Sequence, residues 1–190
     1  MKIAILILAA GTASRMGEIK QLLPYKETFM VNHVIKNAQE VVEDVYVVLG
    51  ANAEIIEQKL QNNSVKKITN QHYKKGLSSS IICGVKTLLH YDAILICLAD
   101  QPKIDVTYYK ELIAVFKENS DAIVASRYEG FNGVPAIFPK SYYSKLLELN
   151  GDKGAKHLLN SKLNFIKTIA SSEKLLDIDT PEDYKKLTNL

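Results

Sequence analysis

A three-layer α/β/α fold, Rossmann-like, with a mostly parallel sheet between two layers of helices, is predicted by three features of this 190-residue sequence. Short, uncharged apolar runs recur at residues 3–8, 45–49 and 93–98, each too brief for a helix and without the alternation of a one-sided strand. Runs of this kind are strands buried on both faces, as in parallel sheets. Between them lie segments with apolar residues at helical spacing, so strands and helices alternate. Apolar residues make up 47% of the chain, enough for one substantial core. No repeat, low-complexity tract or linker interrupts the pattern, and residues 1–190 are expected to form a single domain.

Taken in order, the first strand (3–8) runs into a small-residue loop, and a helix is expected over 30–42, where Val31, Val34, Ile35, Ala38, Val41 and Val42 share one face. A second strand, 45–49, closes on Gly50. A helix over 53–60 carries Ile55, Ile56 and Leu60, and 66–70 is a short β-branched strand. Gly76-Leu77-Ser78-Ser79-Ser80 opens a further helix, capped by a serine, with Ile81, Ile82, Val85, Leu88 and Leu89 as its buried stripe. The most apolar strand, 93–98, ends in Ala99-Asp100-Gln101-Pro102. A helix over 107–116 capped by Asp105 and a strand over 121–126 follow. Residues 130–135 hold Gly130, Gly133 and Pro135, which predicts a loop leading to an edge strand at 136–138. A helix over 141–149 precedes Gly151-Asp152-Lys153-Gly154-Ala155-Lys156, a loop opening a short helix. In Thr180-Pro181-Glu182-Asp183 an N-cap, a first-turn proline and first-turn acids start the last helix.

Composition excludes several function classes. The net charge is +3 with scattered lysines, so the basic stripe or tail of a nucleic-acid binder is missing. No run approaches the roughly twenty apolar residues of a membrane span. The opening apolar stretch is too brief, behind a single lysine, for a secretory signal. Cys83 and Cys97 both lie in apolar runs, as buried thiols of a reducing, cytoplasmic protein do. His33, His72, His90 and His157 lack the spacing of zinc ligands, and no nucleophile elbow is present.

The stretch Leu8-Ala9-Ala10-Gly11-Thr12-Ala13-Ser14-Arg15-Met16-Gly17-Glu18-Ile19-Lys20 is the chemical focus. Backbone amides around Gly11 can cradle an anion, and Arg15 and Lys20 add full positive charge. A Walker loop is ruled out, because five residues separate Gly11 from Gly17 and Glu18 follows. A dinucleotide fingerprint is ruled out because G-x-G-x-x-G does not occur there. Asp100 is a lone carboxylate ending an otherwise uncharged strand. In a parallel sheet it shares the carboxyl edge with the Gly11 loop, which makes it the first candidate for a metal ligand; Asp179, just before the last helix, is the second, and Asp177 ranks below both.

The spacing A-A-G-x-x-x-R-M-G-x-x-K-Q-L-L-P, with G-L-S-S-S, L-A-D-Q-P, G-D-K-G-A-K and D-I-D-T-P-E-D-Y, resembles the molybdenum cofactor cytidylyltransferase and guanylyltransferase family over nearly the whole chain. The resemblance implies a fold of the nucleotide-diphospho-sugar transferase type. It also implies transfer of a nucleotidyl group from a nucleoside triphosphate to the terminal phosphate of molybdopterin, with Mg²⁺ and release of pyrophosphate. It places Ala9, Ala10, Gly11, Arg15, Lys20, Ser79 and Ser80 around the nucleotide and Asp100 and Asp179 on the metal. Lys20 would then stabilise charge at the α-phosphorus, and Arg15 would hold the departing β- and γ-phosphates. Ala10, where guanylyl-transferring relatives tend to have glycine, favours CTP. The acceptor region departs from the family: Gly133-Val134-Pro135 stands where cytidylyl relatives usually read G-H-P. Two other functions fit the same residues. One is a nucleotidyltransferase of this fold using GTP or a sugar or alcohol phosphate acceptor. The other is a non-catalytic, cofactor-binding accessory protein for a molybdenum enzyme.

Overall fold

The computed structural model of the protein describes residues 1–12, 16–61, 64–170 and 173–188. In chain order these form β1 (Ile3–Ala9), β2 (Pro24–Tyr25), β3 (Thr28–Phe29), α1 (Met30–Gln39), β4 (Val45–Leu49), α2 (Ala53–Lys59), β5 (Lys66–Thr69) and α3 (Leu77–Thr87). They continue with β6 (Ala93–Leu98), α4 (Val106–Glu118), β7 (Ile123–Arg127), β8 (Asn132–Pro139), α5 (Tyr143–Leu147), α6 (Lys156–Asn160), β9 (Ile166–Ala170) and α7 (Pro181–Thr188). β2 and β3 make a small antiparallel hairpin, and the other strands form one sheet in the order β5-β4-β1-β6-β8-β7-β9. Six of its strands run the same way; β8 alone is reversed, antiparallel to β6 and to β7.

The two-residue period of β1 divides the core into layers. Ile5, Ile7 and Ala9 pack with α1, α2 and α4 through Val34, Ile56 and Phe116. Ala4, Leu6 and Leu8 pack on the other face with α3, α5 and α6 through Val85, Leu146 and Leu159. This is the predicted α/β/α sandwich. A third cluster of Leu23, Met30, Ile178 and Leu187 seats α7 and the segment before it against the start of α1. Both predicted caps of α4 and α7 are present: Asp105 accepts from the Tyr108 amide at 2.9 Å, and Thr180 and Asp183 bond reciprocally.

Several boundaries differ from the sequence expectation. α1 stops at Gln39 and α3 at Thr87, which leaves Leu89 exposed; on α2 only Ile56 is buried, and Ile55 faces solvent. Gly76, not a serine, occupies the N-cap of α3. The largest difference is at 130–135. Residues 132–139 form an eight-residue strand inside the sheet, not a loop with an edge strand, and the edge belongs to β9, for which no strand was expected. The register explains how a proline is tolerated there. Ala125 pairs with Ala136 but Ser126 with Gly133, so Val134 and Pro135 bulge out of the ladder where no amide donor is required. Ser126 Oγ donates to the Pro135 carbonyl at 2.6 Å and closes the bulge.

Gly50, at the end of β4, is held to glycine by crowding. A Cβ there would lie 2.7 Å from Ala10 Cβ and 2.7 Å from Tyr73 Cβ. Gly50→Ala is therefore expected to lower stability by about 1–3 kcal/mol, the usual cost of overpacking. Urea denaturation measures this; an unchanged midpoint would mean that the β1 and β4 ends separate freely.

Candidate active site

The sheet order reverses between β1 and β6: the chain builds outward from β1 to β4 and β5, then returns to place β6 on the other side of β1. Ligands of open α/β sheets bind in the crevice this creates at the carboxyl ends of the strands. A cleft of about 510 Å³ lies there, lined among others by Ala10, Gly11, Lys20, Ser80, Asp100 and Asp179.

Each group is fixed by local structure. Gln21 donates from Nε2 to the Ala9 carbonyl at 3.3 Å, which docks the short helical turn of residues 20–22 on the end of β1 and aims Lys20 inward. Ala9 itself is buried in the core, while Ala10 lies on the cleft wall with its carbonyl bonded by the Ala51 amide at 3.1 Å. A Cβ at Gly11 would meet nothing within 4 Å among the described residues, and the bare glycine lets a ligand approach the backbone closely. The Asp100 carbonyl accepts from the Ile178 amide at 3.0 Å, and this bond brings the 177–179 segment beside the end of β6.

The Lys20 ammonium sits between two carboxylates. It pairs with Asp100 Oδ2 and, at 3.0 Å, with Asp179 Oδ1. Burial alone would lower the Lys20 pKa, but Asp100 and Asp179 outweigh it and hold the group above its ordinary value. Asp177 stays open to the cleft yet is surrounded densely enough that desolvation, then the charge of Asp100, push its carboxyl up to about 6. Gln101 Nε2 donates to Asp177 Oδ1 at 2.7 Å.

These residues fit a hard divalent cation. Asp100 Oδ1 is buried without a hydrogen-bond partner among the described residues, an oxygen available to a metal. Four carboxylates (Asp100, Asp152, Asp177, Asp179) but only Lys20 and Lys74 line the described part of the cleft, so a bare triphosphate would be repelled. Among the described residues no three acidic, histidine or cysteine side chains converge on one point. Two carboxylates, with waters and substrate oxygens completing the shell, is how Mg²⁺ is commonly held.

The two serines part company. Asn70, at the carboxyl end of β5, donates to Ser79 Oγ at 2.9 Å and to Ser80 Oγ at 3.0 Å. Ser79 hands its proton to a backbone carbonyl of the loop, either His72 or Gly76, whereas Ser80 lines the cleft. Arg15 lies outside the described residues.

A family model for the MobA-like NTP transferase domain matches residues 5–166. The chain belongs to this family. The MobA-like protein is 24% identical over 180 residues to the molybdenum cofactor cytidylyltransferase of Escherichia coli, covering 94% of this chain and 92% of that one. It is 30% identical over 190 residues to the purine catabolism protein PucB of Bacillus subtilis, covering 93% and 91%. The crystal structure of Rv0371c from Mycobacterium tuberculosis H37Rv matches with a TM-score of 0.88 at 25% identity, covering 100% of this chain and 99% of that one. The MobA-like chain is thus a nucleotidyltransferase on the Rossmann-like fold of the nucleotide-diphospho-sugar transferases, and its family works with divalent metals. Among the described residues no helix is long and apolar enough to cross a membrane.

Sequence reasoning missed Asn70, which orients both serines, and Gln101, which reaches Asp177. It also ranked Asp177 below Asp179, though both line the cleft. An amide closing a strand and the glutamine beside Asp100 were the available signals.

Proposed function

We propose that this nucleotidyltransferase transfers CMP from CTP to the terminal phosphate of molybdopterin, in the cytoplasm, with Mg²⁺ and release of pyrophosphate. The observation that carries this reading is the meeting of the Gly11 amide edge, Lys20 and the Asp100–Asp179 pair in one cleft at the switch point of the sheet. An acceptor phosphate oxygen bonds to the α-phosphorus while the bond to the bridging oxygen of the β-phosphate breaks. Both partners are anionic, so positioning and electrostatics set the barrier. Mg²⁺ on Asp100 and Asp179 would neutralise phosphate charge and polarise the phosphorus under attack. Lys20, kept charged by its two carboxylates, donates to the oxygens on the α-phosphorus. Ser80, anchored by Asn70, presents its hydroxyl to the nucleoside. Arg15 takes the β- and γ-phosphates, an assignment that rests on its spacing in the sequence.

Two observations support CTP. Ala10 lines the cleft at the position where guanylyl-transferring relatives tend to have glycine. The Escherichia coli relative is named as a cytidylyltransferase acting on the molybdenum cofactor, which also supports the acceptor. The test supplies purified protein, Mg²⁺ and molybdenum cofactor with CTP, GTP or ATP separately and measures pyrophosphate. Release with CTP is expected. Release with GTP alone would reassign the nucleotide, release only with a sugar phosphate would reassign the acceptor, and cofactor binding without release would make the protein an accessory factor.

A further inference from the structure

The turn that leads into β9 carries the most exposed large apolar side chain among the described residues. Leu163 is 93% exposed, and Phe165, two residues on, is 48% exposed. Single exposed apolar residues are ordinary. This pair differs in how firmly its turn is held. The Leu163 amide donates to Ser161 Oγ at 3.3 Å, and Asn164 Nδ2 donates to the Leu158 carbonyl at 2.8 Å. The Phe165 amide donates to Tyr142 Oη at 3.2 Å, which ties the turn to the residue before α5. An apolar tip presented on a fixed turn spares much of the ordering cost of binding.

The surroundings of the tip are basic. Leu163 borders an open groove whose titratable lining is Lys145, Lys153, His157 and a single acid, Glu148. Lys162 and Lys167 flank the tip in the chain, and both are exposed. Lys145 Nζ lies 5.0 Å from the centroid of the Tyr142 ring, and Lys167 Nζ lies 5.4 Å from that of Phe165. Lysine and aromatic side chains are thus interleaved around the protruding leucine. That is the arrangement favoured at a membrane–water boundary, where rings sit at headgroup level and ammonium groups reach the phosphates.

We propose that the 161–167 turn docks the protein on an anionic lipid surface, with Leu163 and Phe165 entering the boundary between headgroups and acyl chains. Lys145, Lys153, Lys162 and Lys167 then meet the lipid phosphates. Charge and shape together select this occupant. A second copy of the chain would bring the same lysines against these, which like-charge repulsion opposes. An acidic protein would satisfy the charge but would need a hollow cut to a tip that projects from the surface. A fluid bilayer takes such a tip without one. Several lysines and a pair of inserted side chains give reversible association, as suits a face this small. The docking is peripheral: among the described residues no helix is long and apolar enough to cross a membrane. It stands independently of the reaction assigned to the cleft.

The chain has no tryptophan, so Leu163→Trp supplies a single reporter at the tip while keeping it apolar. The probe is the full chain with vesicles of phosphatidylglycerol and phosphatidylcholine in roughly equal parts. Tryptophan emission should shift to shorter wavelength on these vesicles and be quenched by lipids brominated along the acyl chain. Vesicles of phosphatidylcholine alone should give neither effect. In cosedimentation with the mixed vesicles, Leu163→Ser should weaken binding roughly tenfold, the loss expected for one inserted leucine. Lys162→Gln and Lys167→Gln should each weaken it roughly fivefold, and rising salt should weaken it for every variant. Thermal melts of these surface variants should match that of the parent chain. No binding to the mixed vesicles, equal binding to phosphatidylcholine alone, or binding that Leu163→Ser leaves unchanged would each overturn the proposal. Without vesicle binding, a dimer in sedimentation equilibrium that Leu163→Ser abolishes would assign the tip to a second copy. Without vesicle binding, salt-sensitive retention on polyglutamate that Lys162→Gln weakens would assign the face to an acidic protein instead.

Discussion

With Asp100 replaced by asparagine, pyrophosphate release at saturating CTP and Mg²⁺ is expected to fall about a thousandfold, the effect of several kcal/mol of metal-borne charge stabilisation. Asparagine keeps the shape of the side chain and one oxygen but removes the charge. The backbone bond from the Ile178 amide to residue 100 is indifferent to the change, so the 177–179 segment should stay in place. Oδ1, buried and without a partner in the described structure, is the atom the substitution robs of negative charge. The same substitution takes one of two partners from Lys20, and losing half of a part-buried ion pair is itself destabilising. Thermal melts separate the two effects: the activity should fall even at temperatures where the variant is fully folded. Turnover within a few-fold of the unaltered enzyme would remove Asp100 from the metal site.

Lys20→Ala is expected to lower the turnover rate roughly a hundred- to a thousandfold, the loss seen when one charged or polar donor is withdrawn from a developing anion. The affinity for CTP should change far less, because the amide edge at Gly11 and the metal remain. A fall confined to KM would instead mean that Lys20 grips the ground-state triphosphate. Lys20→Arg should rescue poorly. The ammonium fits between Asp100 and Asp179 as a point charge, and a planar guanidinium cannot occupy that position in the same way. Undiminished turnover in Lys20→Ala would sink the assignment.

The parts of the fold that were legible in the sequence are those where one physical signal dominates. β1, β4 and β6 are uncharged apolar runs because both faces are covered, and the strand periodicity of β1 alone explains the two layers. The place of Asp100 in the cleft was legible because it ends a strand of a parallel sheet, where the carboxyl edge gathers such residues. β8 was not, because Gly133 and Pro135 normally exclude a central strand and only the bulge opposite Ala125 and Ser126 accommodates them. β9 was hidden for the opposite reason: as an edge strand with Lys167 and Thr168 exposed, it has neither a continuous apolar run nor clean alternation. The hydrogen bond of Gln101 to Asp177 joins residues far apart in the chain, and that of Asn70 crosses from the end of β5 to the start of α3, so neither leaves a trace in local pattern. The stack of Tyr128 on Phe131 forms across a turn whose glycine spoke only of a loop.

A single strand laid against the grain of its neighbours has a consequence for how such a protein can change. The large cleft and a slot of about 240 Å³ beside it share Leu8, Leu77, Leu98 and Asp177, and the slot alone adds Tyr128, residues 131–134 and the start of α6. Exchange of residues 128–134 is therefore expected to reshape that slot while leaving the Lys20, Asp100 and Asp179 cluster as it is.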